Sequence, residues 1–128
     1  MGQANYILEE VKKMVVSHKS KLQSNVFQGA EVRNAAMKVL VSPQEGWEGH
    51  VMRMIELGKD GFSPRHTHDW PHINYVVKGK GKVHIDGVDY RIEEGSYAYV
   101  PSNALHQFIN TGDDALEFIC IVPEEGHK

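Results

Sequence analysis

Gly61-Phe62-Ser63-Pro64-Arg65-His66-Thr67-His68-Asp69-Trp70-Pro71-His72 decides how this chain is read. It is answered further on by Gly95-Ser96-Tyr97-Ala98-Tyr99-Val100-Pro101-Ser102-Asn103-Ala104-Leu105-His106. Successive side chains of a strand point to opposite faces, so His66 and His68, two apart, look the same way. Asp69-Trp70-Pro71 then breaks the strand, because proline has no N–H for a ladder and restricts the residue before it. His72 therefore opens a returning segment and can swing back toward the first pair. With His106 the set becomes four neutral nitrogen donors around one divalent cation inside a small β-barrel. Without a metal, clustered imidazoles repel when protonated and are costly to bury unpaired.

Outward from this stretch, short β runs alternate with turn residues. Val51–Leu57 alternates and ends at Gly58-Lys59-Asp60-Gly61. Ile73–Val77 runs into a glycine turn and returns as Lys82–Asp86, and Asp86-Gly87 is a hairpin signal before Val88–Ile92. Ser96–Val100, Leu105–Asn110 and Leu116–Val122 follow. Upstream, Met37–Ser42 is the first clear strand, and residues 23–36 hold a short strand around Val26-Phe27 and a polar link. Strands of this length and spacing, without intervening helices, predict an antiparallel sandwich or barrel. Ile7, Leu8, Val11, Met14, Val15 and Leu22 stand at helical spacing, which predicts an amphipathic helix over 4–22 that covers the barrel or a partner. The expected organisation is a helix and linker over 1–36, a barrel over 37–123, and a polar, frayed tail over 124–128.

The totals remove several functional classes. With 41% hydrophobic and 24% charged residues in 128, the chain reads as one globular domain. No apolar run reaches the ~18 residues of a membrane helix, and no signal-peptide pattern opens the chain, so a cytoplasmic location is expected. A net charge of −3 without a basic block leaves no electrostatic footprint for nucleic acid. One cysteine forms no disulfide within the chain. The unusual entry in the composition is eight histidines. Outside the four above, His18, His50 and His127 read as solvated, and His84 shares a face with Lys82 and Asp86 that should be exposed.

The two quoted stretches resemble the two signature motifs of the single-domain cupins. Gly61, His66, His68, His72 and Gly79 fall on the first motif, with one residue fewer after the first glycine. Gly95, Pro101, Asn103, His106 and Asn110 fall on the second throughout. Histidine stands at 72 where the motif has glutamate, and asparagine at 103 where it has glycine; asparagine tolerates positive φ, so the turn survives. The resemblance implies a mostly β fold, an antiparallel double-stranded β-helix or jelly-roll barrel. The four-histidine set and the closing phrase Phe118-Ile119-Cys120-Ile121-Val122-Pro123 resemble small bacterial manganese- or iron-binding cupins. Manganese or iron is therefore favoured at one ion per subunit, although imidazole also suits zinc, nickel and copper.

Strand parity nominates the cavity wall. Glu117 should face water, which turns Leu116, Phe118, Cys120 and Val122 inward. Phe108 and Asn110 follow from His106, and Asn74 and Val76 from His72. Ile73, Tyr75 and Val77 then lie on the outer face, where a second sheet or subunit would cover them; a homodimer is expected. Met52, Met54 and Glu56 share one face against Val51, Arg53, Ile55 and Leu57, with Arg53 and Glu56 read as rim or surface charges and contact with a polar substrate as the alternative. Phe108, Phe118, Cys120, Met52, Met54, Tyr97 and Tyr99 are the pocket candidates. Cys120 reads equally as a small buried hydrophobe. Arg65 and Trp70 flank the ligands. The reading is a dioxygenase-like oxidoreductase taking a small organic substrate. A lyase or isomerase with Tyr97 or Tyr99 as base, and a non-enzymatic binding or metal-stabilised module, are the alternatives.

Overall fold

The structure, a computed structural model, describes residues 14–127. It contains nine strands: β1 (Asn25–Val26), β2 (Arg33–Val41), β3 (His50–Phe62), β4 (His72–Lys78), β5 (Lys80–Ile85), β6 (Val88–Glu93), β7 (Tyr97–Val100), β8 (His106–Asn110) and β9 (Leu116–Pro123). They pair antiparallel in the order β6-β5-β8-β3-β9-β4-β7, with β2 on β3 and β1 on β2, and curl into a nearly closed barrel. Among the described residues, no helix is long and apolar enough to cross a membrane.

Long β3 is what closes the barrel. Its first part pairs with β9 from His50↔Pro123 to Leu57↔Leu116, and its last residue, Phe62, has moved onto Ile109 of β8. The sequence reading ended this strand at Gly58, because Gly58-Lys59-Asp60-Gly61 looks like a turn. The structure instead absorbs those residues as a wide bulge, in which Arg33 faces Phe62 while Ala35 faces Leu57, and Asn34 and Asp60 both take positive φ. A bulge of this kind bends a strand and increases its twist. The glycines are needed for close approach: a Cβ on Gly58 would lie 2.2 Å from the Asn34 amide nitrogen, and one on Gly61 2.8 Å from the Gly58 carbonyl oxygen.

Period-two burial runs along β9, where Leu116, Phe118, Cys120 and Val122 are all buried. Phe118 stacks on Phe108 with ring centroids 4.3 Å apart, within a cluster that includes Leu57, Val76, Val83 and Leu116. A smaller cluster of Val51, Cys120 and Val122 lies toward the other end. Glu117 departs from expectation. It is buried on the outer face, where Lys19 approaches its carboxylate to 2.5 Å and Lys78 to 3.9 Å. A buried carboxylate is retained when it is paired, and the chain before β1 brings the partner.

The ends differ from the sequence reading too. Of the helix expected over 4–22, residues 1–13 lie outside the described residues. Residues 14–18 have no regular structure, and Lys19–Lys21 form one 3-10 turn capped by the His18 side chain. β1 stands where the short strand around Val26-Phe27 was expected, but the strand expected over Met37–Ser42 begins earlier, at Arg33, and ends at Val41. Glu124–Gly126 form a second 3-10 turn rather than a frayed tail, tied down by the Glu124 N–H donating to the Gly49 carbonyl at 2.8 Å.

Asn110 staples the region where β3, β8 and the turn before β9 meet. Its amide donates to the carbonyls of Leu57 (2.9 Å), Gly58 (2.9 Å) and Asp114 (3.0 Å) and accepts from the Gly112 N–H. Asn110→Asp places a carboxylate oxygen against these carbonyls. It is expected to lower stability by about 3 kcal/mol or more, read from urea denaturation midpoints.

Candidate metal centre

The four histidines come from three places in the chain and meet at one end of the barrel interior. His66 and His68 do not sit on a continuous strand. Pro64 and Pro71 lack the N–H groups a ladder needs, and residues 63–71 form an extended arm that carries a single β-bridge, with the Ser63 N–H on the Phe108 carbonyl and the Asn103 N–H on the His68 carbonyl as further ties. That bridge is His66 to His106, through N–H···O contacts of 3.2 and 3.1 Å. The arm is extended, so the alternation still directs both rings to one side, with centroids 5.1 Å apart. His72 opens β4 and His106 opens β8.

His66, His68 and His106 each offer a ring nitrogen within 4.8 Å of the others, an arrangement that could hold a metal ion. His72 meets the cluster through His106: their Nε2 atoms are 3.2 Å apart and their ring centroids 4.9 Å. Its ring is 5.3 Å from that of His68.

The hydrogen bonds on the far side of each ring test whether this donor set suits a cation. His68 Nδ1 lies 2.8 Å from the Trp70 carbonyl oxygen, and His106 Nδ1 2.9 Å from that of Ala104. A carbonyl only accepts, so both Nδ1 atoms carry the proton. His72 Nδ1 lies 2.7 Å from Asn74 Oδ1, and the Asn74 amide nitrogen points the other way to the Ile119 carbonyl, which fixes Nδ1–H there too. The Nε2 atoms of His68, His72 and His106 thus carry no proton and each keeps a free lone pair. Two of them face each other across 3.2 Å without a proton between them, which is unfavourable unless a cation accepts both. The residues fit a divalent metal.

Burial favours the neutral form of His66, His72 and His106. Desolvation, reinforced by His106 and His68, lowers the pKa of His66 to about 4, even though the residue as a whole is exposed. Desolvation is also the main cause lowering His72 to about 3, against the favourable Asn74 bond and with the charges of His106, His68 and Arg53 adding to it. His106 is lowered by burial as well.

A cavity of about 110 Å³ adjoins the four rings. Phe108, Phe118 and Cys120 line it, as parity predicted, together with Phe27, Ala35, Ile55 and Asn74. Phe27 carried no signal, because it arrives from the β1–β2 segment whose path only the fold reveals. The other pocket candidates lie elsewhere. Tyr97 and Tyr99 are exposed on the outer face, opposite Tyr75 and Ile73. Met52 and Met54 share that outer face, opposite Ile121 and Ile119. Arg53 points inward, across from Cys120, with Nη2 donating to Sγ at 3.2 Å.

The flanking residues brace the arm. Trp70 stacks on His68, with centroids 4.6 Å apart and planes 5° from parallel. Arg65 donates to His84 Nε2 at 2.6 Å, and His84 Nδ1 donates to Asp89 at 2.7 Å. His84 is therefore buried under the arm rather than exposed as expected. His50 is exposed and stacks on Trp47, and His18 is exposed. His127 is half-buried, not solvated, with its Nδ1 enclosed.

The cupin-domain family model matches residues 53–122, the stretch that holds all four histidines. The chain belongs to the cupin family. This cupin is 29% identical over 99 residues to 1-methylthio-D-xylulose 5-phosphate methylsulfurylase of Rhodospirillum rubrum, covering 77% of this chain and 62% of that protein. It is 33% identical over 58 residues to an oxalate-binding protein of Thermotoga maritima, covering 44% and 48% respectively. The chain thus spans less than two thirds of the length of either relative. Among solved structures, the polyketide cyclase RemF of Streptomyces resistomycificus superposes with a TM-score of 0.80 at 19% identity, over 87% of this chain and 80% of that one. A Thermotoga maritima protein described as a predicted oxalate decarboxylase gives 0.76 at 22% identity, over 85% and 98%. Those likenesses establish the barrel.

Unfolded imidazoles take up protons near pH 6.5, whereas His66 and His72 in the folded chain do so only near 4 and 3. Between these limits the unfolded state binds more protons, so folding weakens as pH falls. The metal-free cupin is expected to hold a constant contribution from these rings above about pH 6.5 and to lose it progressively toward pH 4. Urea midpoints measured across that window should decline, and His72→Gln should flatten the decline.

Proposed function

We propose that this cupin is a mononuclear metal-dependent enzyme of the dioxygenase-like kind, acting on a small organic substrate. His66, His68, His72 and His106 would hold the ion, with manganese or iron favoured. The observation that carries the reading is the pair of opposed, unprotonated Nε2 atoms of His72 and His106 beside an apolar cavity. When bound, the ion supplies Lewis-acid polarisation of a chelating oxygen and redox exchange with O₂.

The chain's own residues do the rest. Asn74, the Trp70 carbonyl and the Ala104 carbonyl hold three imidazoles in one tautomer and orientation. Ile55, Phe108 and Phe118 exclude water and take the apolar body of the substrate, leaving its oxygens toward the histidines. A cavity of about 110 Å³ fits only a compact group. The relatives' names, a methylsulfurylase, an oxalate-binding protein and a polyketide cyclase, point to different reactions on organic molecules, in keeping with one site serving many chemistries. A lyase or isomerase using Tyr97 or Tyr99 as base has no support, because both lie outside the cavity.

The protein would work in the cytoplasm as a homodimer. Ile73, Tyr75, Tyr97 and Tyr99 are exposed together and adjoin Ile119 and Ile121, an apolar face of the kind a second copy covers. Light scattering should give twice the chain mass, and Ile73→Glu with Tyr97→Glu should halve it without changing the metal content.

Elemental analysis with oxygen uptake tests the activity. The purified protein should carry about one redox metal per chain and consume O₂ with some member of a panel of diketones, phenolics and small thiols. His68→Ala should lose the metal, and His72→Glu should keep it, since a carboxylate also ligates. Stoichiometric four-coordinate zinc without oxygen uptake would replace the enzymatic reading with a metal-stabilised module.

A further inference from the structure

Among the described residues that wall the cavity beside the histidines, Phe27 and His66 are exposed, and the others are buried or half-buried. The cavity therefore opens to solvent between these two side chains. His66 is one of the four clustered imidazoles, so a ligand on its way to them passes the Phe27 ring. That ring serves both sides of the opening. It is 39% exposed, yet it borders the same space as the enclosed Phe108, Phe118 and Cys120.

Phe27 also differs in origin from most of the wall. The cupin-domain match begins at residue 53, and the lining residues from Ile55 to Cys120 fall inside it, whereas Phe27 and Ala35 precede it. Ala35 presents a single methyl group. The shared barrel thus supplies the histidines and the inner end of the cavity, and Phe27 is the large side chain brought to it from outside. Its backbone is tied at the sheet edge, where the Phe27 N–H donates to the Ala35 carbonyl at 2.9 Å. The two-residue β1 just before it pairs with β2. This short attachment fixes where the ring stands without burying it.

The chemistry of the wall limits what can lie against that ring. No Asp, Glu, Lys or Arg lines the cavity. Its polar groups other than the imidazoles are engaged: Ser63 Oγ accepts from the Phe108 N–H at 2.9 Å, and the Asn74 amide links His72 to the Ile119 carbonyl. A charged tail would lose hydration there without gaining a partner, whereas a short apolar tail buries area against Phe27.

We infer that Phe27 is a specificity-determining residue, the outer wall that limits the substrate to a chelating molecule with a short, uncharged tail. Its role toward a substrate rests on the proposed function, whereas its place at the mouth of the cavity does not.

Two measurements test these separately. Cys120, the single cysteine, is 2% exposed and lines the cavity, so iodoacetamide reaches it through the mouth whether or not a metal is bound. In the metal-free full-length protein, Phe27→Ala should speed its alkylation, followed by mass spectrometry, by at least about tenfold, and Phe27→Trp should slow it. Slowing by the larger side chain is a result that loss of stability does not produce. Val26→Ala, at an exposed neighbour that does not border the cavity, should leave the rate unchanged. Equal rates in wild type, Phe27→Ala and Phe27→Trp would put the mouth elsewhere and overturn the inference.

On the cobalt(II)-loaded protein, with metal content measured in every sample, calorimetric titration compares acetohydroxamate with benzohydroxamate. Both chelate through the same two oxygens and differ in the tail. The rigid phenyl ring and the chelating head together exceed a cavity of about 110 Å³ unless the Phe27 wall is cut back. Wild type should therefore bind acetohydroxamate at least about tenfold more tightly, and Phe27→Ala should erase that preference by gaining affinity for benzohydroxamate. The same preference in both proteins would overturn the specificity role. Should Phe27→Ala not fold, Phe27→Leu takes its place in both measurements with the same directions expected. If the wild type takes up no cobalt, the proposed function fails by itself, and the alkylation rates still decide whether Phe27 bounds the mouth.

Discussion

Everything at the histidine cluster depends on hydrogen bonds that point away from it. Trp70 O, Asn74 Oδ1 and Ala104 O each take an Nδ1 proton, and so oblige His68, His72 and His106 to turn bare Nε2 atoms inward. Two of the acceptors are backbone carbonyls two residues from the histidine they serve. Local chain geometry therefore sets the tautomer. Low-dielectric surroundings then favour the neutral form of His66, His72 and His106, because desolvation is the main cause lowering each. A cluster of unprotonated, aligned imidazoles is the state in which a cation finds every ligand ready.

The barrel supplies the rigidity this arrangement needs. His72 and His106 sit at the first residues of β4 and β8, where the ladder fixes the backbone but the ring can still lean into the interior. His66 and His68 come from an arm that has no ladder of its own. It is braced instead by the His66–His106 bridge, by the Asn103 N–H donating to the His68 carbonyl, by Trp70 against His68 and Gly126, and by Arg65 on the buried His84, which pairs with the exposed Asp89.

Polar groups inside an apolar barrel need hydrogen-bond partners there. Asn74 and Asn110 are buried and each bonds to named partners, which marks them as structural. Arg53 differs because its fork is only partly used.

Much of this was legible in the residues. Alternation along Leu116–Val122 placed Phe118 and Cys120 inside, and motif spacing placed the four histidines together, because strand parity and tight turns are local rules. Asn103 at φ 68 and the Asp86-Gly87 turn followed from the same local preferences. What the residues could not decide was set by contacts between distant segments. Lys19 makes it possible to bury Glu117, Arg65 covers His84, and Asn34 converts an apparent turn at Gly58–Gly61 into a bulge. Parity also left open which face of β3 and β7 was the inner one, so Met52, Met54, Tyr97 and Tyr99 were assigned to a cavity that Ile55 and Phe27 line instead. A strand's two faces are distinguished by what packs on them, and packing belongs to the folded chain rather than to any stretch of it.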